Sequence, residues 1–69
     1  MWFVYILRCS DGNIYTGCTS NLDERLRRHK LGYVTATKFR LPVVLITYIV
    51  FMEEDKAFSG RAFVNRHLL

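Results

Sequence analysis

The sequence has little that is typical of a secreted, membrane-spanning or disulfide-stapled protein. It contains only two cysteines, Cys9 and Cys18, which form neither a CxxC unit nor a disulfide framework. The apolar start lacks the charged residues and the small-residue cleavage site of a secretory signal. The longest apolar run, residues 43–52, is interrupted by Thr47 and Tyr48 and is too short to span a bilayer. We therefore expect a cytoplasmic protein with reduced thiols, no membrane segment and a buried strand within residues 43–52.

The composition is that of one small folded domain. The chain has 69 residues, of which 51% are hydrophobic and 14% aromatic, so residues 1–69 are predicted to form a single domain. A chain of this length buries only about 60% of its unfolded surface, so we expect modest stability. Ten lysines and arginines against six acids give a net charge of +4, which suits a polyanionic partner such as a nucleic acid.

The first nineteen residues predict a β-hairpin. Residues 2–7 are aromatic and β-branched on both faces, as in a central strand that is covered on both sides. Asp11-Gly12 is a tight-turn signal, and residues 14–19 follow as the second strand. Gly17 inside that strand predicts a bulge or a close approach by another group.

A helix with an unusual buried face is predicted next. Asn21 is the cap and Glu24 follows three residues later, as in a capping box, while Gly32 ends the helix. One stripe of this helix combines apolar and ionisable residues: Leu22, Arg25, Leu26 and His29. Arg25 and His29 are thus expected on or beside the face that packs on the sheet.

The second half of the chain predicts a loop, a strand and a helix. Residues 32–42 read as a basic loop, and residues 43–51 form the third strand. The acids at 53–55 open a final helix, which we expect Gly60 to interrupt and residues 65–69 to fray. The order β-β-α-β-α predicts an α+β fold with a small three-stranded antiparallel sheet flanked by helices.

Several short motifs, in order along nearly the whole chain, resemble the small single-domain branch of the GIY-YIG nuclease family. They are Val4-Tyr5-Ile6, Tyr15-Thr16-Gly17, Leu22-x-x-Arg25-Leu26-x-x-His29, Ala36-Thr37-Lys38-x-Arg40-Leu41-Pro42 and Ser59-Gly60-Arg61-Ala62-Phe63. Each motif is short, but the set at this spacing is also similar to the nuclease half of the bacterial excision-repair incision subunit. The resemblance implies a metal-dependent DNA endonuclease.

The resemblance also implies roles for four residues. Tyr5 or Tyr15 would help to deprotonate or orient an attacking water. Arg25 would hold the scissile phosphate with its guanidinium fork, and His29 would assist proton transfer or bind phosphate. A Glu on the last helix would hold one Mg²⁺ ion that stabilises the leaving oxygen.

The length of the hairpin loop decides whether the two tyrosines can share a site. A three-residue loop, Ser10-Asp11-Gly12, places Tyr5 opposite Gly17 and directs both tyrosines to one face of the sheet. A two-residue loop would separate them onto opposite faces. A glycine in the left-handed position favours the three-residue loop.

The chain departs from the family pattern in its last helix. The resemblance implies a Glu-bearing helical segment between Phe58 and Ser59, and about two turns of it are missing. Counting along the chain places Arg61 near the expected Glu position, and an arginine cannot bind a cation. The acids at 53–55 lie a turn or more too early, and Asn65 corresponds to a polar residue late in the family's site. We therefore identify no metal ligand.

Three hypotheses follow from the sequence. The first is a GIY-YIG domain with impaired, Mg²⁺-dependent endonuclease activity. The second is a noncatalytic module that binds the DNA backbone, and the third is a shortened gene product with no independent role. The surface residues expected to contact DNA are Arg27, Arg28, Lys38 and Arg40. Loss of part of the last helix would expose apolar surface, which a homodimer would cover.

Overall fold

The computed structural model describes residues 1–68, and its elements follow the predicted order β-β-α-β-α. The elements are β1 (Trp2–Arg8), β2 (Ile14–Thr19), α1 (Leu22–Lys30), β3 (Val44–Phe51) and α2 (Glu54–Leu68). The strands form one antiparallel sheet in the order β2-β1-β3. The predicted α+β class, the three-stranded sheet and the central position of β1 are confirmed. No helix within residues 1–68 has the length and apolar character needed to cross a membrane.

The hairpin has the three-residue loop. The backbone N–H of Cys9 donates to the carbonyl oxygen of Asn13 at 2.8 Å, which leaves residues 10–12 as the loop, and Gly12 has a φ of 83°. In the resulting register Tyr5 lies opposite Gly17 and Leu7 lies opposite Tyr15. Because side chains alternate along a strand, Tyr5 and Tyr15 project from the same face, as predicted.

Helix α1 begins and ends where the sequence predicts, but its capping box is only half formed. The Asn21 side-chain oxygen accepts the backbone N–H of Glu24 at 3.1 Å, and Gly32 follows the helix with a φ of 80°. The Glu24 carboxylate, however, accepts two hydrogen bonds from Arg27 instead of reaching back to Asn21. An arginine one turn away offers that carboxylate two charge-assisted donors, which outcompete a single backbone N–H.

Strand β3 is an exposed edge strand, and the prediction of a buried strand is wrong. Tyr48 and Ile49, which point to opposite faces, are 48% and 43% exposed. The reason is positional: β3 has a neighbour on one side only, and α2 packs mainly on β1 and β2. The buried core is instead centred on the middle strand β1 and includes Tyr5, Leu7 and the following Cys9.

Helix α2 runs without interruption through Gly60, and the predicted break is wrong. It also continues as helix over residues 65–68, where fraying was expected, while Leu69 lies outside the described residues. Gly60 serves packing, because a Cβ atom there would come within 2.6 Å of Phe51 Cζ on β3. The glycine therefore lets the helix approach the sheet, and tertiary contact overrides its low helix propensity.

This contact gives a first prediction. In a Phe51→Ala background, Gly60→Ala should raise the free energy of unfolding by about 1 kcal/mol, since alanine favours the helix and no ring opposes it. With Phe51 present, the clash should cancel or reverse that gain, for a coupling of about 1 kcal/mol or more. Urea denaturation of the four proteins measures the coupling. Ser59→Ala, at an exposed position of the same helix, should show none, and equal effects of Gly60→Ala in both backgrounds would contradict the packing role.

Candidate active site

The two tyrosines predicted to share a site lie together on the α1 side of the sheet. Their ring centroids are 6.3 Å apart. Tyr5 is fully buried, whereas Tyr15 is partly exposed. The Tyr5 ring lies over Gly17, where a Cβ atom would overlap its Cζ and hydroxyl oxygen. The unusual glycine within β2 therefore marks a close approach and not a bulge.

His29 completes a buried polar chain with Tyr5 and Thr37. The Tyr5 hydroxyl oxygen lies 2.8 Å from His29 Nε2, and His29 Nδ1 lies 2.8 Å from Thr37 Oγ1. All three side chains have zero exposure. A phenol is a stronger acid than an aliphatic hydroxyl, so we assign the Tyr5 O–H as donor to Nε2 and the Nδ1–H as donor to Thr37.

Thr37 was not among the predicted site residues. It stands in the Ala36-Thr37-Lys38 motif, but nothing in its spacing along the loop indicates that it meets a histidine eight residues earlier. Its backbone N–H donates to the carbonyl oxygen of Val34 at 3.1 Å, and that turn directs the threonine inward. Only a search for the partner of the second ring nitrogen of a buried histidine would have found it.

The environment keeps both Tyr5 and His29 neutral. Burial raises the pKa of Tyr5 well above its ordinary value, and the neighbouring Tyr15 raises it further, while the Arg25 charge opposes the shift. Burial also lowers the pKa of His29, and Arg25 lowers it further by repelling a second positive charge. At neutral pH the pair is therefore a phenol that donates to an uncharged imidazole.

Arg25 lies beside this pair without a carboxylate of its own. It is half-buried on α1, and none of the ion pairs formed by residues 1–68 includes it. Arg27 on the same helix shows the contrast, because it forms an ion pair with Glu24 at 2.7 Å. A guanidinium that is partly removed from water and lacks a counterion is suited to an incoming anion.

The last helix carries a second arginine in place of an acid, but on the face of the sheet opposite α1. Ala57 is buried against the sheet, and Arg61 follows it by one turn on the same side of α2. Arg61 lies close enough for its positive charge to favour the ionised forms of Tyr5 and Cys18. Arg25 is thus the stronger of the two arginine charges that act on Tyr5.

These residues do not fit a divalent cation. Over residues 1–68, no three histidine, cysteine or acidic side chains cluster as metal ligands. Glu54 acts on Cys18, which points to the opposite face of β2 from Tyr15, and none of the acids at 53–55 shifts the pKa of Tyr5. Hard cations take oxygen ligands with negative charge, and the Arg25 charge beside Tyr5 repels such an ion.

The predicted DNA-contacting residues fall into two groups. Arg27 and Arg40 are already ion-paired, Arg27 with Glu24 and Arg40 with Asp11 of the hairpin loop at 2.9 Å. Arg28 and Lys38 are exposed, and neither belongs to an ion pair within the described part of the chain. The Arg40 pair instead ties the loop to the hairpin, together with a hydrogen bond from Ser10 N–H to the Arg40 carbonyl oxygen.

Comparison with known proteins identifies the fold family. The model of the GIY-YIG catalytic domain matches residues 1–63. The chain belongs to the GIY-YIG family. The resemblance in the sequence is thereby confirmed, and the GIY-YIG domain implies a nuclease-type fold. The roles of Tyr5, Tyr15, Arg25 and His29 stay predictions.

Relatives of this GIY-YIG domain are small proteins of the UPF0213 group. Two of them, from Streptococcus pyogenes serotype M5 (strain Manfredo) and serotype M2 (strain MGAS10270), are each 38% identical over 65 residues. The similarity covers 93% of this chain and 71% of each relative. A UPF0213 protein from Bacillus halodurans, solved by solution NMR, is similar at 34% identity with a TM-score of 0.60. That similarity covers 96% of this chain and 72% of the other.

The buried histidine gives a second prediction, on pH and stability. The pKa of His29 in the folded domain lies below its ordinary value of 6.5, so below that pH the unfolded chain binds a proton that the folded chain excludes. The free energy of unfolding should therefore fall as the pH decreases from about 7 to about 5, and this histidine should contribute no slope at higher pH.

Two histidine variants test the assignment. His29→Gln should flatten the dependence between about pH 7 and pH 5, where carboxylates contribute little. His67→Gln, which changes an exposed histidine on α2, is the matched control and should keep the slope. Urea denaturation at several pH values provides the measurement. A slope that survives in His29→Gln would show that the buried histidine is not its source.

Proposed function

We propose that this GIY-YIG domain binds the phosphodiester backbone of DNA in the cytoplasm, at a nuclease-derived site whose hydrolytic activity is impaired. The observation that carries the proposal is Arg25, a half-buried guanidinium without a carboxylate partner in the described chain, beside the buried Tyr5–His29–Thr37 hydrogen-bond chain. The two free cysteines agree with a reducing compartment.

Arg25 is the principal anion-binding group in this proposal. Its planar fork can donate two parallel hydrogen bonds to two phosphate oxygens, and partial burial reduces the competition from water. Tyr5 is fully buried and donates a hydrogen bond to His29, so it holds the histidine in place beneath the site. Tyr15 is partly exposed on the same face and supplies a further hydroxyl.

The proton chemistry of the site supports impaired hydrolysis. A tyrosine that acts as general base must pass its own proton to an acceptor before it takes one from water. The nearest acceptor is His29, whose pKa is lowered by burial and by Arg25, while burial raises the pKa of Tyr5. Both shifts oppose a phenolate–imidazolium pair, so Tyr5 is poorly suited to deprotonate a water.

The cation requirement of the family is not met by these residues. The resemblance implies that Mg²⁺ is held by a Glu on the last helix, and Arg61 stands near that position. We therefore expect Arg61 to add to phosphate attraction, and we expect binding without a divalent cation. Arg28 and Lys38 add long-range attraction, whereas Arg27 and Arg40 contribute less because acids already neutralise them.

A third prediction concerns binding. Arg25→Ala should weaken binding of a DNA duplex about tenfold or more in EDTA, since it removes a charge-assisted contact worth about 1.5–3 kcal/mol. Arg27→Ala is the matched control on the same helix and should weaken binding only slightly, because Glu24 holds this arginine. Fluorescence anisotropy at several salt concentrations measures both affinity and salt slope. Equal losses in the two variants would place the phosphate contact elsewhere.

A fourth prediction concerns cleavage. The wild-type protein should retain salt-dependent binding to branched and nicked DNA but leave it uncut in Mg²⁺ or Mn²⁺. Cleavage that requires the metal and disappears in both Tyr5→Phe and Arg25→Ala would overturn the proposal of impaired hydrolysis in favour of an active endonuclease. Absence of both binding and cleavage in a folded protein would instead support the shortened gene product without an independent role. Gel electrophoresis of end-labelled DNA separates these results.

A further inference from the structure

Strand β3 exposes apolar side chains on both faces and a free backbone edge. Tyr48 and Val50 share one face, and Ile49 lies on the other, with exposures between 43% and 48%. The side of β3 away from β1 has no neighbouring strand within the described chain. Its outward backbone groups therefore match the hydrogen-bonding pattern of another β-strand.

This edge lacks the usual protection against pairing. Natural edge strands carry charged side chains or proline, whereas β3 has the sequence VLITYIVF and contains neither. A register shift between Ile6 and Leu7 places a bulge at Ile46 on β3. Thr47–Phe51 remains as a regular, uncharged stretch that can accept a partner strand.

The charges at the two ends of β3 indicate which strand fits. At its start, Arg8 lies beside Val44 in the sheet and Lys30 lines a cleft with Val43 and Val44. Its end runs directly into Glu53, Glu54 and Asp55. None of these charged residues belongs to an ion pair among residues 1–68. A strand with one basic end and one acidic end is complementary to an antiparallel copy of itself.

We propose that two copies of this chain pair through β3, antiparallel and around a two-fold axis near Ile49, to form a six-stranded sheet. Ile49 of one copy would lie opposite Ile49 of the other, and residues 47–51 of the two copies would pair. This brings Glu54, the first residue of α2, toward Arg8 of the other copy, on the face of the sheet where α2 packs. A two-fold axis perpendicular to the sheet keeps both tyrosine-bearing faces on the same side, so the dimer presents two sites to one ligand. The pairing stands independently of what the sites bind.

The first test of this dimer is a charge at its centre. Ile49→Lys should make the protein monomeric, with a dissociation constant raised about tenfold or more, because it places a charge in a desolvated interface. Phe39→Lys, on a loop residue with 88% exposure, introduces the same charge away from β3 and should leave the dimer intact. Sedimentation equilibrium over micromolar concentrations provides the measurement. A monomeric wild-type protein, or equal association of the two variants, would overturn the proposal.

The register has its own test. Directly opposed residues of antiparallel strands have Cβ atoms about 4.5–5.5 Å apart, so Ile49→Cys should form a disulfide between copies under mild oxidation. Val44→Cys, on the same strand but far from the axis, should not, and the wild type with its buried Cys9 and partly exposed Cys18 sets the background. Cross-linking through Val44→Cys but not through Ile49→Cys would contradict the proposed register.

A charge reversal tests the complementarity of the ends. Glu54→Lys should weaken dimerisation severalfold, and addition of Arg8→Glu in the same chain should restore part of the loss, since the two positions lie on the same face at the two ends of the interface. Additive losses in the double variant would contradict the pairing of acidic and basic ends.

Discussion

The site depends on the packing of Tyr5 across Gly17. Because β2 has no side chain at that point, the phenol can lie flat against the neighbouring strand and extend its hydroxyl to His29 on α1. One contact thus links the sheet, the helix and, through Thr37, the following loop. A side chain at residue 17 would displace the Tyr5 ring and break its hydrogen bond to His29, so the Tyr5–His29–Thr37 hydrogen-bond chain would be lost. The buried hydrogen-bond chain therefore stabilises the fold, and its residues can take part in chemistry only as far as this packing allows.

Positive charge is the second constraint on this site. Arg25 and Arg61 both act on Tyr5, and burial holds the tyrosine and His29 neutral. Such surroundings favour an anion in the ground state, but they disfavour both a metal cation and an imidazolium. The proposed function thus separates binding of phosphate from activation of water, because these surroundings favour the first and disfavour the second.

Local signals in the sequence predicted the hairpin and α1 well, since turn residues, caps and strand alternation act over a few residues. The Asp11-Gly12 turn predicted the register that places both tyrosines on one face, and the helical stripe predicted that His29 is buried. Features that depend on contacts between distant segments were not predicted. The pairing of Thr37 with His29, the fit of Gly60 against Phe51 and the open side of β3 are set by how elements pack, and no short motif encodes them.

The placement of α2 connects the unusual charge of the site with the open edge of the sheet. Ala57 fixes the helix against β1 and β2, and Gly60 sets its distance from Phe51 at the end of β3. With the helix held there, the Arg61 charge acts weakly on Tyr5 from the other face of the sheet, while most of β3 stays uncovered. Moving α2 across the sheet to cover β3 would break the Ala57 packing and withdraw Arg61. A second copy that pairs along β3 would cover this edge without moving the helix. The same position of α2 therefore accounts for both the charge near Tyr5 and the uncovered strand that we propose as the interface.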